Sequence, residues 1–327
     1  CVAHGVQGAH NMADDADKDK AEEKTTSREA DVKKEMELTK MWAKIEAEDG
    51  NLKKKKKQIR ELVKVGIPPD LRGRIWKKMI GNHLNITVDI YQFYVSRAEA
   101  IRDNRRKQTL GCESSVNLIG TDLHRTFPYL SVFQSEGAYN DTLREVLEVW
   151  VCYRPDIGYV QGMSFVAGLL LLYMEPEDAF TCLANLLCQP FFLSFYRMDE
   201  KEVLSILGAL DKLLDHFLPN LNKHFKQVGI TLEVFAVDWF LTIFSRSFPL
   251  AFTSQVWDNF FHLKCDVRYL FKVAIGIISS FEQTLLRSDF EEILHLLGRV
   301  PHSLDATRVL QICEGLILTQ ERFRSVL

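Results

Sequence analysis

A chain of 327 residues holds one large domain or two small ones. With 46% apolar and 26% charged residues it cannot be disordered or collagenous throughout. A formal charge of −3 supplies no whole-chain basic field for nucleic acid, so no nucleic-acid partner is expected.

The longest nearly unbroken apolar stretch, Gly162–Met174, is thirteen residues, whereas a membrane-spanning helix needs about twenty. Seven cysteines, at 1, 112, 152, 182, 188, 265 and 313, include no Cys-x-x-Cys. Neither a disulfide framework nor a zinc site is expected, and a reducing cytosolic compartment fits best.

In chain order, residues 1–13 are small and polar without a period, and are expected to be a disordered tail. Composition then changes sharply: Asp14–Lys64 holds 14 acids and 15 bases but one aromatic, Trp42. Leu38, Ile45, Leu52 and Ile59 fall seven apart, yet the partner seam passes through charged residues and Gly50-Asn51 interrupts it. The expectation for 14–61 is a charged, partly helical lead-in rather than a sustained coiled coil. Within it, Lys53, Lys54, Lys55, Lys56 and Lys57 form an unbroken run. Three readings stay open for that run. It can be a solvated helix face, a nuclear signal, or a contact with anionic lipid worth about 1 kcal/mol per lysine.

The globular part is expected over 62–327. All nine prolines lie at or beyond residue 68, between stretches of helical spacing. Leu143, Val146, Leu147 and Trp150 follow i, i+3, i+4, i+7, and Leu204, Leu207, Leu210, Leu214 and Phe217 form a second stripe. Val234–Phe244 and Tyr269–Leu286 read as helices buried on most sides. Proline favours connections and first turns, so its placement punctuates the helices. Strand alternation and fixed-period repeats are missing, and the fold class is all-α.

The chain lacks Gly-x-x-x-x-Gly-Lys-Ser/Thr, Gly-x-Gly-x-x-Gly and His-Glu-x-x-His. Gly162-Met163-Ser164-Phe165-Val166 misses the last glycine of a nucleophile elbow, and a turn rather than a strand precedes it.

Three segments stand out. Gly66-Ile67-Pro68-Pro69-Asp70-Leu71-Arg72-Gly73-Arg74-Ile75-Trp76 marks a turn and a helix start, with Trp76 as a large buried side chain. In Ile119-Gly120-Thr121-Asp122-Leu123-His124-Arg125-Thr126-Phe127-Pro128, Asp122 and Arg125 share a helical face, and Pro128 favours an extended Phe127. Tyr153-Arg154-Pro155-Asp156-Ile157-Gly158-Tyr159-Val160-Gln161-Gly162-Met163 runs into the apolar helix, with two glycines bracketing Tyr-Val-Gln. Taken singly, Asp122–Arg125 reads as a surface pair and Gln161 as a helix cap or a core-edge hydrogen bond.

Together and in this order the segments resemble the TBC domain, the all-helical module of GTPase-activating proteins for Rab GTPases. The resemblance runs from about Gly66 to the chain end. Val237-Asp238-Trp239-Phe240-Leu241 and Val256-Trp257-Asp258 are similar to later landmarks of that family. Ser164 departs from the family pattern, where asparagine is frequent. The Tyr-Arg-Pro-Asp-x-Gly-Tyr-Val-Gln-Gly-Met-Ser string is similar to a branch tied to recycling endosomes and autophagy.

The resemblance implies a multi-helix domain of two helical subdomains, with a finger-bearing half over about 62–200 and a second half over 201–327. It also implies a chain that activates a partner's GTPase and is not itself an enzyme. Arg125 and Gln161 would act in trans on a GTP-loaded Rab, with Asp122, Tyr159 and Gly162 supporting them. Arg72, Trp76, Asp238, Trp257 and Asp258 would be structural. GTP and magnesium would belong to the partner, and the chain would bring no cofactor of its own. Localisation is expected to be cytoplasmic with recruitment to endomembranes, endosomal ones included. The alternative is a TBC-fold scaffold that binds a Rab with little catalysis.

Overall fold

The computed structural model describes residues 36–45, 56–103, 111–301 and 304–327. Residues 1–13, Lys53–Lys55 and most of the charged run after Arg102 lie outside the described residues. The chain divides into two compact units, Cys1–Leu71 and Arg72–Leu327. The expected boundary at 61/62 falls inside a helix, and the expected junction near residue 200 falls at the start of another within the second unit.

In the first unit, α1 (36–45) and α2 (Lys56–Val65) are both helical, as expected for the lead-in. Trp42 is buried, and its indole donates to the Gly66 carbonyl at 3.2 Å. Gly66 closes α2 with φ of 114° and returns its N–H to Leu62 at 3.1 Å. An L side chain rarely adopts that conformation, which is why glycine stands there. Helix α3 (Pro69–Ile80) crosses from one unit into the next.

The second unit continues with α4 (Val88–Arg102), α5 (Val116–Leu123), α6 (Asn140–Tyr153), α7 (Met163–Leu171), α8 (Pro176–Leu187), α9 (Pro190–Tyr196) and α10 (Glu200–Phe217). Then follow α11 (Pro219–Val228), α12 (Glu233–Leu241), α13 (Leu250–His262), α14 (Val267–Ser280), α15 (Glu282–Leu285), α16 (Phe290–Gly298), α17 (Ala306–Gly315) and α18 (Gln320–Val326). No strand occurs among the described residues, so the all-α expectation holds. Pro176, Pro190 and Pro219 open α8, α9 and α11, where their missing N–H costs nothing.

Every residue of α7 is buried, and α6 and α8 pack against it. The apolar stretch is therefore a core helix. Among the described residues no single helix is long and apolar enough to cross a membrane. The α6 stripe Leu143, Val146, Leu147, Trp150 is fully buried as predicted. Each such side chain contributes roughly 1.5–3 kcal/mol by leaving water.

Three helical expectations need correction. Leu204 is exposed, and the buried face of α10 runs through Ile206, Leu207, Ala209, Leu210, Leu213 and Leu214 instead. The run Val234–Phe244 stops at Leu241, because Ile243 and Phe244 adopt φ of 48° and 64°. Tyr269–Leu286 breaks at Phe281 into α14 and α15. Apolar periodicity reports a buried face, and a chain that bends inside the core keeps that face buried across the break.

Candidate functional site

The site is organised by one buried carboxylate. Asp122, 1% exposed, lies in the last turn of α5. The helix ends at Leu123, and Arg125 occupies the turn beyond it, with its backbone N–H on the Asp122 carbonyl at 3.2 Å. Arg125 donates from Nε to Asp122 Oδ1 at 2.6 Å and from Nη2 to the same oxygen. The other oxygen, Oδ2, accepts from the Tyr159 hydroxyl at 2.5 Å and from the Gly162 backbone N–H at 3.3 Å. A buried charge is tolerated only when paired and hydrogen-bonded, and this carboxylate is both. Burial first, and then Asp122, push the Tyr159 hydroxyl well above its ordinary pKa, so it stays a neutral donor.

Asp122 thus holds both arms of the site. One is Arg125, whose side chain is 41% exposed and whose Nη1 has no protein partner among the described residues. The other is the loop ending in Gln161 and Gly162. The i, i+3 pairing expected from spacing is present, but the pair also binds a segment remote in sequence.

That loop is stiff for identifiable reasons. Gly158 and Gly162 have φ of 72° and 103°, which suits glycine. A Cβ on Gly158 would lie 2.5 Å from Cys112 Cβ. The Trp150 indole donates to the Gly158 carbonyl at 2.9 Å, and Tyr159 N–H donates to Ser115 Oγ at 2.7 Å. Cys112 N–H donates to the Pro155 carbonyl at 2.6 Å. Arg154 donates to both oxygens of Asp156, at 2.8 and 2.7 Å, and to Cys188 Sγ at 2.8 Å. The Arg154 bonds hold Asp156 down at about 2. Gly162, not Gln161, precedes the first turn of α7, and Gln161 is exposed with no protein hydrogen bond among the described residues. Its amide is not the helix cap that the sequence left open.

The turn after Arg125 is anchored in the core. Thr126 is buried; its hydroxyl bonds the Asp122 carbonyl at 2.8 Å and lies 2.7 Å from Ser164 Oγ. Ser164 therefore ties α7 to the Arg125 turn. Phe127 departs from the extended conformation expected before Pro128, with φ of 44°. Its ring is buried against Phe165 at 5.3 Å and Phe133 at 5.9 Å, and Leu130 N–H bonds its carbonyl at 2.8 Å. Tertiary burial of that ring outweighs the local preference of a residue preceding proline.

The remaining landmarks form their own sets of contacts. Asp258, fully buried, accepts from Arg72 Nε at 3.1 Å, Arg72 Nη2 at 3.2 Å and Trp76 Nε1 at 2.7 Å. Arg72 also donates to the Tyr173 hydroxyl at 3.1 Å. Removing one partner of such a pair costs about 3–5 kcal/mol, because the other charge stays buried. Trp257 donates to the Ile243 carbonyl at 2.8 Å. Asp238 accepts from Arg246 at 2.7 Å and Ser247 at 2.9 Å. Sequence reasoning passed over Ser115, Thr126 and Arg246; two common hydroxyl residues and one surface arginine carry no spacing signal.

Among the described residues no group of three or more His, Cys, Asp or Glu side chains is placed to hold a metal ion, and the six described cysteines are free thiols. A cavity of about 310 Å³ lies between α10, α11 and α12, lined by Leu207, Gly208, Asn222, Phe225 and Ile230; Asp122, Arg125 and Gln161 take no part in it.

Comparison with known proteins bears on the fold and the family. The family model described as Rab-GTPase-TBC domain matches residues 69–286. The TBC1 domain family member 12 of Xenopus tropicalis is 37% identical over 77% of this chain, which spans 38% of that relative's length. The Chlamydomonas flagellar RabGAP TBC domain superposes with a TM-score of 0.69 at 25% identity, covering 88% of this chain and 93% of that one. The Ypt/Rab-GAP domain of Gyp1p gives a TM-score of 0.65 at 19% identity, covering 79% and 90%, a likeness of fold.

Proposed function

This chain belongs to the Rab-GTPase-TBC domain family, and from that premise we propose that it accelerates GTP hydrolysis on a Rab GTPase with Arg125 and Gln161 in trans. The observation that carries the reading is the shared carboxylate: Asp122 clamps Arg125 through one oxygen and the peptide beside Gln161 through the other. Two segments remote in sequence, one bearing Arg125 and the other Gln161, are thereby tied to one carboxylate.

Phosphoryl transfer to water asks the protein for positioning and charge stabilisation. An arginine supplied in trans is worth roughly 10³–10⁵-fold in rate, or about 4–7 kcal/mol of barrier. Guanidinium suits the role, being always charged, planar and able to donate to two oxygens. With Nε and Nη2 on Asp122, Arg125 keeps Nη1 for the transferred phosphoryl group. Gln161, which makes no protein hydrogen bond among the described residues, can accept from the attacking water while donating toward the phosphate. Tyr159 and Gly162 position Gln161 by fixing the loop. The GTP and magnesium arrive with the partner. Action at endomembranes, endosomes included, and contact of the lysine run with anionic lipid belong to the same proposal.

Single-turnover hydrolysis across a panel of GTP-loaded Rabs tests the reading. Stimulation of at least one Rab by the 327-residue chain, lost in Arg125→Ala with binding and helicity retained, is the expected result. Binding of a Rab with no acceleration by the intact chain would replace it with a scaffold.

A further inference from the structure

The connection between α12 and α13 carries a third polar side chain toward the site. Ile243 and Phe244 are successive buried residues in the left-handed region, at φ of 48° and 64°. A β-branched residue rarely stays there, and strain of this kind persists only where surroundings over-determine it. Here the surroundings do: the Ile243 carbonyl accepts the Trp257 indole at 2.8 Å, and Phe244 N–H returns to the Trp239 carbonyl at 2.7 Å.

The bend places this connection beside the Gln161 loop. A Cβ on Gly162 would lie 3.1 Å from both Leu241 and Thr242. Arg246 then sits over the ring of Phe165, with 5.8 Å from its guanidinium carbon to the ring centroid. Phe165 lies in the first turn of α7, and its ring packs on Phe127 in the Arg125 turn. Arg246 is therefore connected to both arms through one aromatic ring. Its Nη1 donates to Asp238 at 2.7 Å, and Asp238 is held in turn by Ser247 at 2.9 Å. No other protein hydrogen bond to Arg246 occurs among the described residues, and its side chain is 38% exposed.

The geometry points to Arg246 as a docking residue that recognises a carboxylate on the GTP-loaded GTPase, beside but not within the reacting centre; this inference rests on the proposed function. A guanidinium laid on a ring and pinned at one nitrogen loses little freedom on binding, and its Nε and Nη2 edge can take a carboxylate in a fork. Arg246 makes no bond to Asp122, the group that organises Arg125 and the Gln161 loop, so it acts on encounter and affinity. Charged contacts at the edge of an interface govern association and its salt dependence.

The test uses the 327-residue chain and the Rab that responds best in the panel. Arg246→Ala and Arg246→Gln are each expected to raise the half-saturating chain concentration by about tenfold and to flatten its salt dependence, with the rate at saturation largely kept. Arg246→Lys should lie between, since it keeps the charge and loses the fork. Lys226→Ala, which removes an exposed cation paired with Asp211 on another helix, should leave both quantities unchanged. Melting curves of the Gln and Lys variants matching the parent exclude a folding defect. An unchanged half-saturating concentration in both Arg246→Ala and Arg246→Gln overturns the inference, and so does a loss confined to the saturated rate. If Arg125→Ala stays active, the proposed function fails while the Arg246 result still stands or falls on affinity. If the intact chain neither binds nor stimulates any Rab, both readings fall.

Discussion

Asp122 Oδ2 lies 3.3 Å from the backbone nitrogen of Gly162, so the carboxylate that clamps Arg125 also fixes the peptide next to Gln161. Because one side chain sets both arms, damage to it should impair them together. Asp122→Asn keeps the shape but turns one oxygen into a donor facing donors. We expect a stability loss of about 2–4 kcal/mol and a fall in stimulated hydrolysis approaching that of Arg125→Ala. Tyr159→Phe removes the 2.5 Å bond to Asp122 together with the hydroxyl's contact to Ser164 and should cost about 1–2 kcal/mol. Denaturant melts and single-turnover rates on the same samples measure both. Activity surviving intact in Asp122→Asn would separate the carboxylate from the site.

The role of Gln161 is read most directly from a two-by-two comparison. If Gln161 positions the water, a Rab whose own water-orienting glutamine is replaced by alanine should still respond to the intact chain. Gln161→Ala should stimulate both Rabs poorly while binding them, because the amide acts mainly in the transition state. Gln161 is exposed and makes no protein hydrogen bond among the described residues, so the replacement should leave the melting temperature within about 2 °C. Full activity of Gln161→Ala on the normal Rab, with the altered Rab inert, removes the second finger.

Two glycine replacements should act in opposite directions. Gly158→Ala forces a Cβ to within 2.5 Å of Cys112 at a φ of 72°. It should destabilise by about 1–3 kcal/mol and lower stimulation by loosening the Gln161 loop. Gly208→Ala, in the middle of α10, meets nothing within 4 Å and should stabilise by about 0.5–1 kcal/mol. Thermal melts of the two variants decide the matter; a stabilised Gly158→Ala would show that the loop conformation is not required.

Alkaline pH should unfold the protein through its buried thiols. Burial pushes Cys182 and Cys313 up to about 12 each. An unfolded thiol titrates near 8.5. The folded state therefore binds more protons above that value. The contribution of these thiols to stability is fully present below about pH 8.5 and is lost as pH rises toward 12, by up to roughly 1.4 kcal/mol per pH unit for each. Melting temperatures between pH 8 and 10.5 should fall, and Cys182→Ala should flatten the slope while lowering the value at pH 8. Of the described cysteines Cys112 is the exposed one, so it should react first with a thiol reagent.

Much of the architecture was legible in the residues themselves. The α6 stripe Leu143, Val146, Leu147, Trp150, the prolines opening α8, α9 and α11, and the glycines at 158 and 162 are local signals, each acting within one or two helical turns. Local physics states them in full: a 3.6-residue period, a fixed φ in proline, a missing Cβ in glycine. Asp122 with Arg125 belongs to the same class, since a three-residue spacing across a helix end and the turn after it brings two side chains to one side.

The rest is decided by which remote segments meet. The bonds from Tyr159 and Gly162 to Asp122, the ion pair of Arg72 with Asp258, and the seating of Arg246 on Phe165 join residues far apart in the chain. Nothing within either segment encodes such a partner, because a hydrogen bond depends on distance and direction in space, not on spacing in the chain. The broken run at Ile243 and Phe244 and the left-handed Phe127 follow the same rule: core burial of their side chains overrides the backbone preference of the local sequence. The sequence alone determines an all-helical chain that carries Arg125 and Gln161 on two separate segments. Only the tertiary structure puts Arg125 and the Gly162 peptide on one buried carboxylate, because this needs α5 and the Gln161 loop to meet within hydrogen-bonding distance in space.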